Sequence, residues 1–369
     1  MKKLLFCALL ATMWTACSKD QTVTEYNSEA PASIYASIDE ENQAASRVQL
    51  NEQKQTVWTA NDELVVFHSQ KIHQYQFAGK TGDRQGTFNY AGSYNTTGYE
   101  IPQVDGYYAL YHSQKSPSWG FFSSGEAALF FNVPAEQNYL DSSYGVYSNA
   151  MVGTSSNGTN FSFRNLCGFL RLSIEGSGVV KSIELQGNNN EVLAGNYYFA
   201  VSNPLQLTAY DELSQKLTLN CGDGVALSST ATDFYFSMPP VDFTKGFTAT
   251  IILADGTAYP QSTNKSISIR RNQIQPMAAF EINDGEWQTV TIHHTGETVA
   301  APWLFTRRGT VATGFISWGD GAISMFNAVT NHLYSDDLPS HTVLVKGQEA
   351  TGFVIQSLDG ISEIDLSEL

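Results

Sequence analysis

The residues best suited to chemistry are thinly spread in this chain. Seven histidines (His68, His73, His112, His293, His294, His332 and His341) are scattered over 369 residues. His293 and His294 are adjacent on a stretch that reads as a strand, so they point to opposite faces and do not easily ligate one metal. His332 and His341 could meet across a hairpin, where a structural role is the preferred reading over a metal site. Asp39-Glu40-Glu41 and Asp336-Asp337 lie in polar stretches. A calcium site would need several oxygens converging on one point, and solvated loop acids are the simpler reading. There is no G-x-S-x-G elbow, no H-E-x-x-H and no phosphate loop. Zinc spacing of the C-x2-C kind is also missing. The expectation is a chain with no catalytic residues, no metal and no cofactor.

Aromatic residues offer the one binding surface that the residue types suggest. Tyr94, Tyr99, Tyr107, Tyr108, Tyr111, Trp119, Phe121 and Phe122 follow one another closely. Exposed tyrosine and tryptophan present flat apolar faces with a polar rim, which suits sugars and protein surfaces alike. Ser113 to Glu126 reads as a loop, where Trp119 would be hard to bury. Trp119, Tyr94 and Tyr99 are therefore the candidate ligand-binding aromatics. The bland alternative is that these rings fill a core, and for Tyr107 and Phe130 that alternative is preferred.

The remaining chemistry is at the N-terminus. Lys2 and Lys3 precede an apolar stretch, Leu4 to Met13, and then Trp14-Thr15-Ala16-Cys17. The stretch is about ten residues, too short for a bilayer core that needs roughly 20. A cysteine after a small residue at this place resembles a bacterial lipobox, in which the thiol is acylated and the chain is cut before it. Trp14 departs from the usual aliphatic residue, a looseness that resembles lipoproteins of the Bacteroidetes group. An ordinary secretory peptide with an incidental cysteine is the alternative. Acyl chains contribute about 0.8 kcal/mol per buried methylene, so Cys17 would hold the chain to the outer membrane, with the cell surface as the expected location. Loss of Lys2 and Lys3 leaves 18 basic against 36 acidic residues, a net of −18. No basic stripe offsets that charge, which excludes nucleic acid as a partner. Cys167 and Cys221 then remain. In an oxidising compartment they could pair, or each could be a small buried hydrophobe; a chain this long can bury a core without staples, which favours the second.

The elements that would position these residues are strands. After a polar tether (residues 17–30) come short alternating runs rich in Val, Ile, Phe, Tyr and Thr, separated by Gly, Asn, Asp and Ser. No long stretch has a clear 3.6-residue period. Three blocks separate, at residues 31–162, 163–285 and 286–369, with Asn283-Asp284-Gly285-Glu286 as a polar hinge. In the second block Leu170, Leu172 and Ile174 alternate on one face while Phe169 falls out of step.

Arg47 to Phe67, with Trp58 and the Asn61-Asp62-Glu63-Leu64-Val65-Val66-Phe67 turn and strand, resembles the fimbrillin-like family of Bacteroidetes surface lipoproteins, related to type V pilins. So do Gly79-x-x-Gly82-Asp83-x-x-Gly86-x-Phe88, Asn165-Leu166-Cys167-Gly168, Phe236-Ser237-Met238-Pro239-Pro240 and Ile269-Arg270-Arg271-Asn272-Gln273-Ile274-x-Pro276-Met277. The resemblance implies an all-β fold of two tandem transthyretin-like Greek-key β-sandwiches. It also implies a pilus subunit, or an anchor, tip or accessory adhesin. In pilus subunits of this kind an Arg-specific protease releases an N-terminal strand, and a neighbour's strand completes the opened sandwich. Arg47 is the only arginine between Cys17 and the first strong strand. It reads either as a processing site or as a surface arginine flanking strand one.

The third block is similar to the PKD-like β-sandwich of extracellular proteins, through Ile316-Ser317-Trp318-Gly319-Asp320-Gly321, His332-x-Tyr334 and His341-Thr342-Val343. Trp318, Asp320, Gly321, His332 and Tyr334 are its structural motif, with Asp320-Gly321 as a tight turn after a buried tryptophan. Leu358-x-x-Ile361-x-x-Ile364-x-Leu366 has a leucine-rich rhythm, and one such repeat cannot bury its own face, so it is expected to cap an edge of this domain. A PKD-like domain after the fimbrillin-like part argues for a tip, accessory or non-pilus protein. The leading expectation is a non-catalytic adhesin or pilus-associated subunit that meets other pilus subunits by strand exchange or a host protein or glycan by its loops. The alternative is a glycan-binding surface lipoprotein of a polysaccharide uptake system. A hydrolase, which would need a cleft of converging carboxylates, ranks last.

Overall fold

The structure is a computed structural model, and it describes residues 30–39, 49–50, 55–68, 71–95, 106–111, 118–121, 127–254, 256–282, 287–320, 322–326, 329–336 and 338–369. Among these, every regular element is a β-strand. The reason is local and repeated. Phe247–Leu253 buries Phe247, Ala249, Ile251 and Leu253 and turns Thr248 and Thr250 outward, the two-residue period of a half-buried strand. The all-β class expected from the sequence is what the chain adopts. Cys17, Arg47, Tyr99, Gly321 and the Asn283–Glu286 hinge lie outside the described residues.

The first block closes on itself. Going round the barrel, Ser33–Ile38 neighbours Asn160–Asn165, then Met151–Ser155, Tyr107–Tyr111, Glu63–His68, Lys71–Phe77 and Gln85–Asn95, which returns to Ser33–Ile38. The closing strand is antiparallel to Gln85–Asn95, with Ile34 opposite Phe88, and parallel to Asn160–Asn165, with Ile38 opposite Phe163. The barrel is filled by Trp58, Leu64, Val66, Tyr75, Phe77, Phe88, Tyr111, Phe161 and Phe163.

The second block packs a six-stranded sheet on a four-stranded one. Leu170, Leu172 and Ile174 of Gly168–Gly176 face Ile183, Leu185, Ile251 and Leu253 across the core. Phe169, out of step as expected, turns the other way and stacks on Tyr144 at 4.5 Å between ring centroids. Ile274–Pro276 and Phe280–Ile282 both run parallel to Gly168–Gly176.

The sheet pairings do not part between Ser162 and Phe163, because Asn160–Asn165 is one strand of the barrel. Glu136–Leu140 leaves the first block and pairs in parallel with Lys216–Ala226 of the second. A further sheet mixes the two, in the order Thr208–Ser214, Ala194–Ala200, Ala127–Val133, Ser118–Phe121. Its inner residues Leu129, Phe131, Tyr197 and Phe199 pack on the outside of the barrel, at Val65, Phe67, Leu110 and Val152. A buried chain of amides, Asn149 to Asn165 to Asn272, crosses the same junction. Cys167 and Cys221 are free thiols in two separate cores. Burial pushes them up to about 11 and about 12, respectively, so they are inert hydrophobes in the fold.

In the third block five strands form one sheet, ordered Ile323–Met325, Gly314–Ser317, His341–Gln348, Trp287–His294, Ile361–Glu368. The leucine-patterned segment is its edge. Ile361 and Ile364 pack on the core, while Leu358 and Leu366 stay exposed. Trp287 meets Tyr259 of the second block and Phe315 of the third at 5.4 and 5.6 Å.

Candidate functional site

The strand Ser33–Ile38 is short, and its sequence alternates: Ile34, Ala36 and Ile38 point into the barrel, while Tyr35 points out. Its ends are held by backbone bonds on both sides. Tyr35 N–H donates to the Thr159 carbonyl at 2.7 Å, Ile38 N–H to Arg84 at 3.1 Å, and Asp39 N–H to Phe163 at 2.8 Å. Tyr75 Oη donates to the Pro31 carbonyl at 3.1 Å. Beneath the strand lies Trp58, fully buried, with Phe88 edge-on at 4.9 Å and Phe163 at 5.4 Å. Each isoleucine contributes about 1.5–3 kcal/mol by burial. Apolar contact and ladder bonding dominate the seam, with the Tyr75 hydroxyl and a Ser37 Oγ bond to the Phe161 carbonyl added.

At the start of Glu63–His68, elsewhere in the same barrel, sits a buried carboxylate that residue-by-residue reading did not single out. Asn61, at φ 68°, bends the chain so that Asp62 turns inward. Asp62 Oδ2 accepts the Thr59 N–H at 2.7 Å and Oδ1 accepts the Tyr111 hydroxyl at 3.3 Å. Burial pushes its pKa up to about 7, against the lowering effect of those two donors. Burial together with the Asp62 charge drives the Tyr111 hydroxyl well above its usual value. The Asn61-Asp62 pair was readable as a turn; its burial depended on which way the turn faced.

In the third block the structure brings Trp318, Asp320, His332 and Tyr334 together and adds His341, Asp336 and His294. His332 stacks on Trp318 at 4.6 Å and places Nε2 2.7 Å from Asp320 Oδ2. Tyr334 stacks on His341 at 3.6 Å, and its hydroxyl donates to the Trp318 carbonyl at 2.9 Å. His341 Nε2 lies 2.8 Å from Asp336 Oδ1. Burial opposes ionisation of Asp320, but the Ala322 N–H and the His332 imidazole together hold its carboxyl below the usual range. His294 is buried, and its Nδ1 accepts the Gly296 N–H. His293, its neighbour, points to the other face beside Thr342, as the strand period requires. Among the described residues, no three His, Cys, Asp or Glu side chains converge to hold a metal ion. The column can fasten loops together.

Two expectations about the aromatics need correction, the loop and Phe130. Ser118–Phe121 is a strand rather than loop, and Trp119 stands opposite Leu129 in its register. Tyr94 likewise stands in a strand, opposite Ile72. Phe130 is not a core residue. In Ala127–Val133 the two-residue period gives the inner face to Leu129, Phe131 and Val133, which leaves Phe130 on the outer one. There it meets Tyr198 at 5.5 Å and Tyr210 at 5.4 Å, with Tyr198 and Tyr210 at 6.2 Å. Tyr107 does pack against the barrel core.

No family model matches the chain, and no curated protein does. Solved structures do overlap it at low identity. A candidate cell adhesion protein from Bacteroides uniformis ATCC 8492 is 12% identical, with 69% of this chain and 93% of that one covered and a TM-score of 0.38. A second, from Bacteroides fragilis NCTC 9343, is 12% identical over 69% and 90%, with a TM-score of 0.32. A fimbrial protein from Bacteroides ovatus ATCC 8483 is 8% identical over 81% and 54%, with a TM-score of 0.24. Overlaps this loose carry no argument about function.

Proposed function

We propose that this chain is a non-catalytic surface lipoprotein of adhesin or pilus-associated type, held to the outer membrane through Cys17, whose first barrel is completed by an exchangeable strand. One observation carries this reading. Ser33–Ile38 closes the barrel from both sides, and it lies N-terminal to Arg47. A cut after Arg47 would separate that strand from the rest of the chain. Gln85–Asn95 and Asn160–Asn165 would then present unpaired backbone groups flanking an apolar groove, which a strand from another subunit could fill. Left uncut, the same chain would be an anchored, capped unit at the tip or base of an assembly, with a host protein or glycan as its ligand.

The test is an immunoblot of unboiled membrane fractions, with and without an Arg-specific protease, for the natural chain and Arg47→Ala. A ladder of polymers that requires both protease and Arg47 is the expected result. A single band under every condition would remove strand exchange and leave only the anchored binding protein.

A further inference from the structure

We infer that the outer face of the mixed sheet, centred on Phe130, Tyr198 and Tyr210, is a binding site for a neutral polysaccharide. The face is built by strand period and one irregularity. Phe130 and Tyr198 are direct cross-strand partners, both turned away from the core. The edge strand Thr208–Ser214 pairs Ala209 with Tyr197 and Asp211 with Asn196, so Tyr210 is the extra residue of a bulge. A bulge re-aims the side chain it carries. Tyr210 is thereby swung over its neighbours and reaches Phe130 two strands away while 61% of it stays exposed. Next along the same face, Asn132 Nδ2 donates to Asn196 Oδ1 at 2.8 Å. Tyr210 offers an exposed ring with Phe130 and Tyr198 tilted against it, and the Asn196 amide lies alongside; a sugar's C–H face stacks on such a ring while its hydroxyls reach polar side chains.

Charge and edge geometry select the occupant. None of the four strands contains a lysine or arginine, whereas Asp211 and Glu212 stand at the rim. An acidic polymer would be repelled there, and the whole chain is acidic as well. Addition of a protein strand, including one from a second copy, is opposed by the two register shifts in this edge, by Glu212 at φ 49° and by the adjacent acids. Stacking on the face remains, and it needs no backbone pairing. The site is independent of the barrel seam, so it is tested on the uncut chain.

Detergent-solubilised full-length protein is run by native affinity electrophoresis in gels cast with barley β-glucan, galactomannan or arabinoxylan, and in polygalacturonate as the acidic counterpart. Retardation by at least one neutral polymer is expected, weakened about tenfold in Tyr210→Ala and Tyr198→Ala. Tyr90→Ala, which removes an exposed ring elsewhere, should retain full retardation. Tyr210→Ala alters an exposed edge residue, and an unchanged melting curve shows that loss of binding is not loss of fold. Mobility unaffected by every neutral polymer, retardation only in polygalacturonate, or equal retardation of the natural chain and both variants would each overturn the proposal.

Discussion

The first barrel and the third block each enclose a fully buried tryptophan, and they hold it in opposite ways. The Trp58 indole packs against Phe77, Phe88, Tyr111 and Phe163 at 4.9 to 6.1 Å, and its backbone bonds with Asp83 and Gly82. The strand that covers this nest turns small or aliphatic side chains inward and adds backbone bonds, with one side-chain bond from Ser37 Oγ to the Phe161 carbonyl at 3.4 Å. Trp318 is tied by named polar contacts: its indole N–H donates to Ser324 Oγ at 2.9 Å, its carbonyl accepts Tyr334, and His332 clamps it while held by Asp320. Apolar contacts are non-directional, so they specify a particular covering strand only weakly. Directional bonds between particular side chains specify their own partners and resist exchange. The first barrel is thus held largely by apolar packing, and the third block by directional bonds between particular side chains.

The largest expected effect comes from removing the nest. Trp58→Ala should destabilise the barrel by about 3–5 kcal/mol, read as an early transition in urea followed by fluorescence. If the third block unfolds in the same early step, the two regions are one cooperative unit and the contrast fails.

Asp62 gives a second handle, because it is buried within the same barrel. Its ordinary pKa of 3.8 rises to about 7 in the fold. A carboxyl with a raised folded pKa favours the folded state fully below its unfolded value, and that contribution is lost as pH climbs through the folded one. The barrel should therefore lose stability between about pH 4 and 7, by at most about 4 kcal/mol, with the exposed third-block carboxylates contributing little. Asp62→Asn should flatten that slope and raise the melting temperature near pH 8. A melting profile identical to that of the natural chain would show that the carboxylate is not desolvated.

The smallest effect sharpens the other side. Tyr334→Phe deletes one hydroxyl and keeps the stacked ring, so it should cost about 0.5–1.5 kcal/mol in the third block alone. Urea melts of that variant with an unchanged barrel transition would confirm that the lock is local.

Much of the fold was legible because strand period is a local property. Leu170, Leu172 and Ile174 alternate with polar or out-of-step residues, and all three are buried as read. Trp318, Asp320, His332 and Tyr334 were grouped by resemblance to a PKD-like pattern, and the structure places them in contact. Phe130 was misread for a physical reason. In Ala127-Ala128-Leu129-Phe130-Phe131 every residue is apolar, so hydrophobicity does not alternate and neither face announces itself. Tyr210 was passed over because a bulge, not a period, decides where it points. His341 was noted, while its partner Asp336 was read as one of two solvated acids; the difference is a loop folded back across five residues.

By itself, then, the sequence determined the β class, the acidic surface, the spacing of the third-block motif and the alternation that puts Ile34, Ala36 and Ile38 on one side of a strand. Tertiary structure decided what those sides meet. Only long-range pairing could place Ser33–Ile38 between Gln85–Asn95 and Asn160–Asn165, send Glu136–Leu140 across to Lys216–Ala226, and bring Phe130, Tyr198 and Tyr210 onto one face. A strand's pattern records that one face must be buried, and the choice of neighbour is made by backbone groups that are the same at every residue.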